Sequence, residues 1–268
     1  MSRHGRLRGT APVHPATPWL PELPAAGSSL RLFCFPHAGA GASSFRDWPR
    51  HLPTHVSVCP VQLPGREARF REAPFTHVEP LVTELLDALN PYLDQPFALY
   101  GHSVGALVAF EFARALRRAG LPQPAHLFVS GRPAPQSVTS RPLLHDLGHP
   151  ELVKALYAIG GTPAAVLRNP DLRALLLPMI QADFAVNETY VYHEEHALGV
   201  PTTVYQGTDD MRVSAEEARA WEAQSSGAFR VKYLAGGHFF VATNLLALAR
   251  DMSGQLASWA PHPMVLRS

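Results

Sequence analysis

Five residues, Gly101-His102-Ser103-Val104-Gly105, constrain this chain more than any other stretch. They match the pattern G-x-S-x-G, and their flanks give the pattern its meaning. Phe97-Ala98-Leu99-Tyr100 before them is a short apolar run of the kind that forms a buried strand. Residues 104–116 after them read as a helix. A strand that turns into a helix this abruptly needs small residues where the two cross, and Gly101 and Gly105 supply them. The turn strains Ser103 and pushes its hydroxyl out at the C-terminal edge of the sheet, in front of the helix N-terminus. That is how a fold presents a serine as a nucleophile.

Around this turn, short apolar runs alternate with amphipathic stretches. Strands are expected at 30–35, 56–63, 97–100, 126–130, 202–206 and 229–234. Helices are expected at 78–93, 104–119 and 239–259, with another after Ser214, where Glu217 completes a capping box. The alternation predicts an α/β fold: a mostly parallel central sheet with helices on both faces. Residues 143–192 break it, with helical signals and no convincing strand. Asn169-Pro170-Asp171 reads as an N-cap, an N1 proline and a first-turn acid, followed by an apolar stripe of Leu172, Leu175, Leu176, Met179 and Ile180. We expect a helical lid inserted there over Ser103, dividing the core into 30–142 and 193–262; ordinary packing helices are the plainer alternative. Residues 1–29, rich in Pro, Arg and small side chains, are expected to be a flexible tail, with Trp19 and Leu20 docking on the body.

Composition narrows the class of partner. A formal charge of +1 gives no electrostatic case for nucleic acid or an anionic membrane. No apolar run of about 20 residues is present, and the N-terminus lacks the apolar core of a signal peptide, so a cytoplasmic location is expected. Cys34 and Cys59 sit in apolar runs and read as buried reduced thiols. His193 and His196 are three apart, not the four of the helical zinc signature, and Gly148 and Pro150 argue against a helical pair at His145 and His149. No metal is expected. Nothing in the sequence demands more than a monomer.

A serine hydroxyl needs a base, and the base needs an orienting acid. The run 202–206 ends at Gly207-Thr208-Asp209-Asp210, which places an acid at the edge where Ser103 emerges. Of 14 histidines, His238 stands out by position: after the acid, at a strand end, in Ala235-Gly236-Gly237-His238. The chain order Ser, acid, His resembles that of the α/β-hydrolases. In that fold the acid usually lies three residues after such a glycine, which favours Asp210 over Asp209 and leaves Asp209 open. Acyl chemistry also needs donors for an oxyanion. The Val104 N–H follows the nucleophile directly. The second candidate is the Ala38 N–H, in the loop Phe35-Pro36-His37-Ala38-Gly39-Ala40-Gly41; a simple Gly-rich turn is the plainer alternative. His102 is expected to support the turn.

Four segments sharpen the resemblance: Phe35-Pro36-His37-Ala38-Gly39, Gln62-Leu63-Pro64-Gly65-Arg66-Glu67, Gly101-His102-Ser103-Val104-Gly105-Ala106 and Gly236-Gly237-His238-Phe239. Together they resemble the type II thioesterases, stand-alone editing hydrolases of polyketide synthases and non-ribosomal peptide synthetases. The resemblance spans 30–259 and includes Ser130-Gly131-Arg132-Pro133-Ala134-Pro135 and Gln181-Ala182-Asp183-Phe184. The chain departs from the family at Gln181, where a basic residue is more usual, and at Met211, where Pro is. The resemblance implies an acyl thioester substrate on the phosphopantetheine arm of an acyl or peptidyl carrier protein, with no cofactor of the enzyme's own. It implies a role in clearing stalled or aberrant acyl units. His37, Met179, Phe184 and Phe239 are the expected substrate contacts. Arg66, Arg69 and Arg71 form a basic cluster: either a solvated loop neutralised by Glu67 and Glu72, or a docking face for an acidic carrier. The alternatives are a medium-chain acyl-carrier thioesterase or carboxylesterase, a chain-releasing cyclase, and a non-catalytic binding protein on a hydrolase scaffold.

Overall fold

Six strands lie side by side in the order β2-β1-β3-β4-β5-β6, and every neighbouring pair is parallel. The architecture is that of a computed structural model, which describes residues 14–137 and 141–259. The strands are β1 (Leu30–Phe35), β2 (Val56–Pro60), β3 (Phe97–His102), β4 (Leu127–Ser130), β5 (Thr202–Gly207) and β6 (Phe229–Leu234). Residues along β1, β3 and β5 are buried throughout, because both faces of the sheet are covered. Helices α1 (Val78–Leu89) and α2 (Val104–Arg118) share one apolar layer, in which Leu85, Leu89, Phe110 and Phe112 meet Phe33 and Leu99. The opposite layer joins Leu32, Tyr100 and Phe128 to Phe45, Trp48 and the C-terminal helices. Strand order reverses between β1 and β3, and in an open parallel sheet the crevice at such a reversal is where ligands bind. Among the described residues no helix is long and apolar enough to cross a membrane.

Between β4 and β5 come three helices: α3 (His149–Ile159), α4 (Ala164–Arg168) and α5 (Pro170–Glu188). Asn169 caps α5 as expected, its side-chain oxygen accepting from the Asp171 and Leu172 amides. These helices carry a small apolar cluster of their own, built from Leu144, Leu152, Leu156, Leu167, Leu177 and Ile180. After β5 follow α6 (Ala215–Arg219), opened by the Ser214–Glu217 capping box, and after β6 come α7 (Phe240–Thr243) and α8 (Leu245–Gln255).

Trp19 and Leu20 dock on the body as expected, and two helix bounds need correction. Trp19 and Leu20 are core residues, Arg69 lies over the Trp19 ring, and the Tyr92 hydroxyl donates to the Pro15 carbonyl. The earlier part of the expected tail lies outside the described residues. The helix expected over 239–259 is broken at Asn244, whose side chain donates to the Ala235 and Phe240 carbonyls and ends α7. The helix expected over 78–93 stops at Leu89, and Pro91 opens the tighter turn Asn90–Tyr92. The two thiols are buried and free as expected, and burial pushes Cys59 up to about 12.

Candidate active site

The turn at Ser103 is set by backbone crowding. Ser103 adopts φ 54° and ψ −119°, one of only two non-glycine residues with positive φ among those described. A Cβ at Gly101 would lie 2.0 Å from the Gly105 carbonyl oxygen, and a Cβ at Gly105 would lie 2.2 Å from that of Phe35. Both neighbours are backbone and have nowhere to go, so β1, β3 and α2 approach this closely only with glycine at both places. The Ser103 amide is tied to the Ser130 carbonyl at 2.8 Å, locking the turn to β4. His102 supports it as expected. Its Nδ1 bonds the Ser130 hydroxyl at 2.9 Å, and Ser130 in turn bonds Tyr100. Burial, with His238 and His37 nearby, holds His102 well below the usual imidazole range, so it is neutral.

Asp210 and His238 meet across the loops that follow β5 and β6. His238 Nδ1 donates to Asp210 Oδ2 at 3.0 Å, and both side chains are nearly or fully buried. The Arg212 amide donates to the other carboxylate oxygen at 2.8 Å. Burial alone would raise the Asp210 carboxyl. The His238 hydrogen bond and charge and the Arg212 amide outweigh it and hold the group below the usual carboxylate range. Asp209 is exposed and, among the described residues, its side chain accepts only from the Thr208 hydroxyl, so the pairing distinguishes the two acids.

Ser103 and His238 line one small cavity of about 40 Å³ with Ala38, Val104 and Arg212 from the core and Leu156, Ile159, Phe184 and Asn187 from the inserted helices. Among the described residues the Ala38 and Val104 amides take no acceptor. His37, Phe184 and Phe239 also line this cavity. Met179 does not; it packs into the insertion's own cluster and lines a neighbouring groove of about 340 Å³, which shares His37, Ala38, Gly161 and Thr162 with the cavity. The Phe239 ring touches those of His37, His102 and His238. Burial first, then the nearby His238, lowers His37 to about 4.

The basic loop is not solvated, since Arg66 and Arg69 are buried, although Glu72 neutralises Arg69 as expected. Arg66 is 4% exposed and forms a two-pronged pair with Asp183 of α5, both bonds at 2.7 Å. Asp183 also accepts from the Gly39 amide at 2.7 Å. One carboxylate thus fastens the insertion to the loop that carries Ala38. Arg69 is buried and holds Glu72, Glu67 bonds Ser43, and only Arg71 stands in solvent. Sequence reasoning missed the role of Asp183, although the segment Gln181–Phe184 had drawn notice. Glu195, between His193 and His196, is held by Arg114, Arg117 and Arg118.

Residues 30–256 match the sequence profile described as the thioesterase domain. This chain belongs to that family. It is 38% identical over 231 residues to the gramicidin S biosynthesis protein GrsT of Aneurinibacillus migulanus, covering 86% of this chain and 90% of that one. It is 34% identical to thioesterase PikA5 of Streptomyces venezuelae, covering 87% and 83%. Among solved structures it resembles RedJ, the thioesterase of the prodiginine pathway in Streptomyces coelicolor. The TM-score is 0.81 at 36% identity, covering 94% of this chain and 92% of that one. The family and these neighbours make it a type II thioesterase of the kind associated with polyketide and non-ribosomal peptide pathways, on an α/β-hydrolase fold.

Proposed function

We propose that the protein is a serine thioesterase that clears acyl groups from the phosphopantetheine arms of carrier proteins, with Ser103, His238 and Asp210 as its triad. The observation that carries this is the buried Asp210–His238 pair, whose imidazole lines one cavity with a strained serine. Asp210 holds the imidazole with its Nδ1 proton inward, which leaves Nε2 free to accept the Ser103 proton. Ser103 Oγ attacks the thioester carbonyl, and the Ala38 and Val104 amides, which lack other acceptors, stabilise the oxyanion. Collapse expels the pantetheine thiol, which takes its proton from His238. Water, deprotonated by the same histidine, then attacks the acyl-serine and releases a free acid.

Helices α3–α5 act as the lid. Leu156, Ile159 and Phe184 give the acyl chain an apolar wall, and the groove beside His37 admits the arm. Lid and oxyanion loop share the Asp183 anchor, so closure and donor placement are coupled. A fluorophosphonate probe tests the nucleophile: it labels the native protein and fails on Ser103→Ala. Turnover of an acyl-pantetheine thioester against the matched oxygen ester tests the reaction class. The thioester is the faster substrate; equal or greater turnover of the oxygen ester would make the protein a carboxylesterase.

A further inference from the structure

Two polar side chains in the Ser103 cavity have no place in the chemistry just described. Asn187 comes from the last turn of α5, and Arg212 lies two residues past Asp210. Both also line a second cavity of about 490 Å³, whose wall includes Arg132 and Tyr190. They therefore form a polar partition between the acyl chamber and a larger space behind it.

The hydrogen-bond polarity of this partition is one-sided. Arg132 Nε donates to Asn187 Oδ1 at 2.9 Å. A guanidinium has no acceptor, so this bond fixes the Asn187 amide with its oxygen toward Arg132 and its NH2 turned away. Among the described residues, the Asn187 NH2 and the Arg212 guanidinium donate to nothing, and neither Arg132 nor Arg212 pairs with a carboxylate. The surrounding acids are engaged. Asp210 serves His238 and the Arg212 amide, Glu188 serves the Leu144 and His145 amides and the His145 ring, and Glu217 serves Arg141 and Ser214. Burial lowers Arg132 to about 10; burial and nearby Arg141 lower Arg212 despite Asp210 and Glu188. Arg132 has a structural occupation, lying over the Tyr190 ring and bonding Asn187 and Pro133. No such contact accounts for the Arg212 side chain.

We propose that Asn187 and Arg212 form an anion-accepting subsite in the acyl chamber, suited to acyl thioesters whose far end carries a carboxylate. Side by side in the cavity wall, they offer donors that no acceptor among the described residues takes, and these match the two oxygens of that group. The subsite rests on the thioesterase reading of Ser103. Succinyl-pantetheine and butyryl-pantetheine test it, because both present four carbons and only the first ends in an anion. The native protein hydrolyses succinyl-pantetheine with the higher kcat/KM, by about tenfold, and Arg212→Gln removes that preference. Arg212→Lys, which keeps the charge, retains part of it. Competitive inhibition of the native protein by succinamate against butyramide gives the same comparison without a variant, because only succinamate carries a far-end carboxylate, and succinamate binds more tightly. Hydrolysis of butyryl-pantetheine with no succinyl preference would overturn the subsite alone. A preference that survives in Arg212→Gln would overturn the assignment to Arg212. Hydrolysis of neither thioester would overturn the thioesterase reading and the subsite with it.

Discussion

Around Ser103 the backbone has no room to move, whereas in the insertion the chain has room and permission. Gly101 and Gly105 face backbone carbonyls at 2.0 and 2.2 Å from where a Cβ would sit. Gly160 and Gly161, between α3 and α4, also exclude side chains, for a different reason: both take left-handed φ, at 80° and 82°. What a Cβ at Gly161 would meet is the Phe239 ring, at 2.2 Å, and a ring can swing. The contrast teaches how this site divides its labour. Ser103, the proposed nucleophile, is held by main-chain geometry that cannot adjust, and the helices over it are held by side-chain contacts that can.

The largest expected effect breaks the rigid side. Gly105→Ala drives a methyl into the Phe35 carbonyl, so a loss of about 4 kcal/mol or more, or no soluble protein, is expected in urea unfolding. Asp210→Asn leaves that geometry intact but removes the charge that orients His238. Its kcat falls by about 10³–10⁴-fold with an unchanged unfolding midpoint. Next comes the tether between the regions. Arg66→Met strands the buried Asp183 carboxylate and costs about 3–5 kcal/mol, and adding Asp183→Leu restores most of it. Survival of Arg66→Met at native stability would mean that the insertion is not fastened there.

The pH dependence of stability follows from buried imidazoles. His37 and His126 are each lowered to about 4, and His102 lies well below its usual value. The unfolded chain binds protons below about pH 6.5 that the native protein refuses, so stability falls with pH from about 6.5 toward 4. Each of these histidines contributes up to about 1.4 kcal/mol per pH unit over that window. Urea midpoints at pH 7, 6 and 5 check it. The smallest effect belongs to the permissive side. Gly160→Ala meets only Phe239, at 3.8 Å, so its cost is backbone strain alone: φ 80° with ψ −167° is a region nearly reserved for glycine, and about 1–3 kcal/mol is lost with folding intact.

The parts of the molecule legible in the sequence are those written locally. The turn at Ser103 announces itself in five residues, and the parallel sheet covered on both faces follows from short apolar runs alternating with helices. Asp210 and His238 were readable because each stands just past a strand end, where a parallel sheet gathers its loops. Contacts between distant segments left no such mark. Arg66 and Asp183 are 117 residues apart and pair in the fold, which turned an apparent surface cluster into a buried clamp. Trp19 and Leu20 are the exception: two apolar residues in a Pro-rich stretch, expected to dock, and both in the core. Met179 fell on the expected apolar stripe, but of that stripe Leu176, Met179 and Ile180 pack the insertion's own cluster while Leu175 is exposed, so Met179 lines the groove rather than the chamber. Arg212 had no motif to mark it; only its place in the cavity wall, with no acceptor for its guanidinium among the described residues, singles it out.

The most direct test of the account follows a carrier protein loaded with a short acyl group by intact-protein mass spectrometry. With the native protein, the acyl mass leaves the carrier, passes through an adduct on Ser103 and ends as free acid. With Ser103→Ala the carrier stays loaded. Clearance by Ser103→Ala at the native rate would contradict the account.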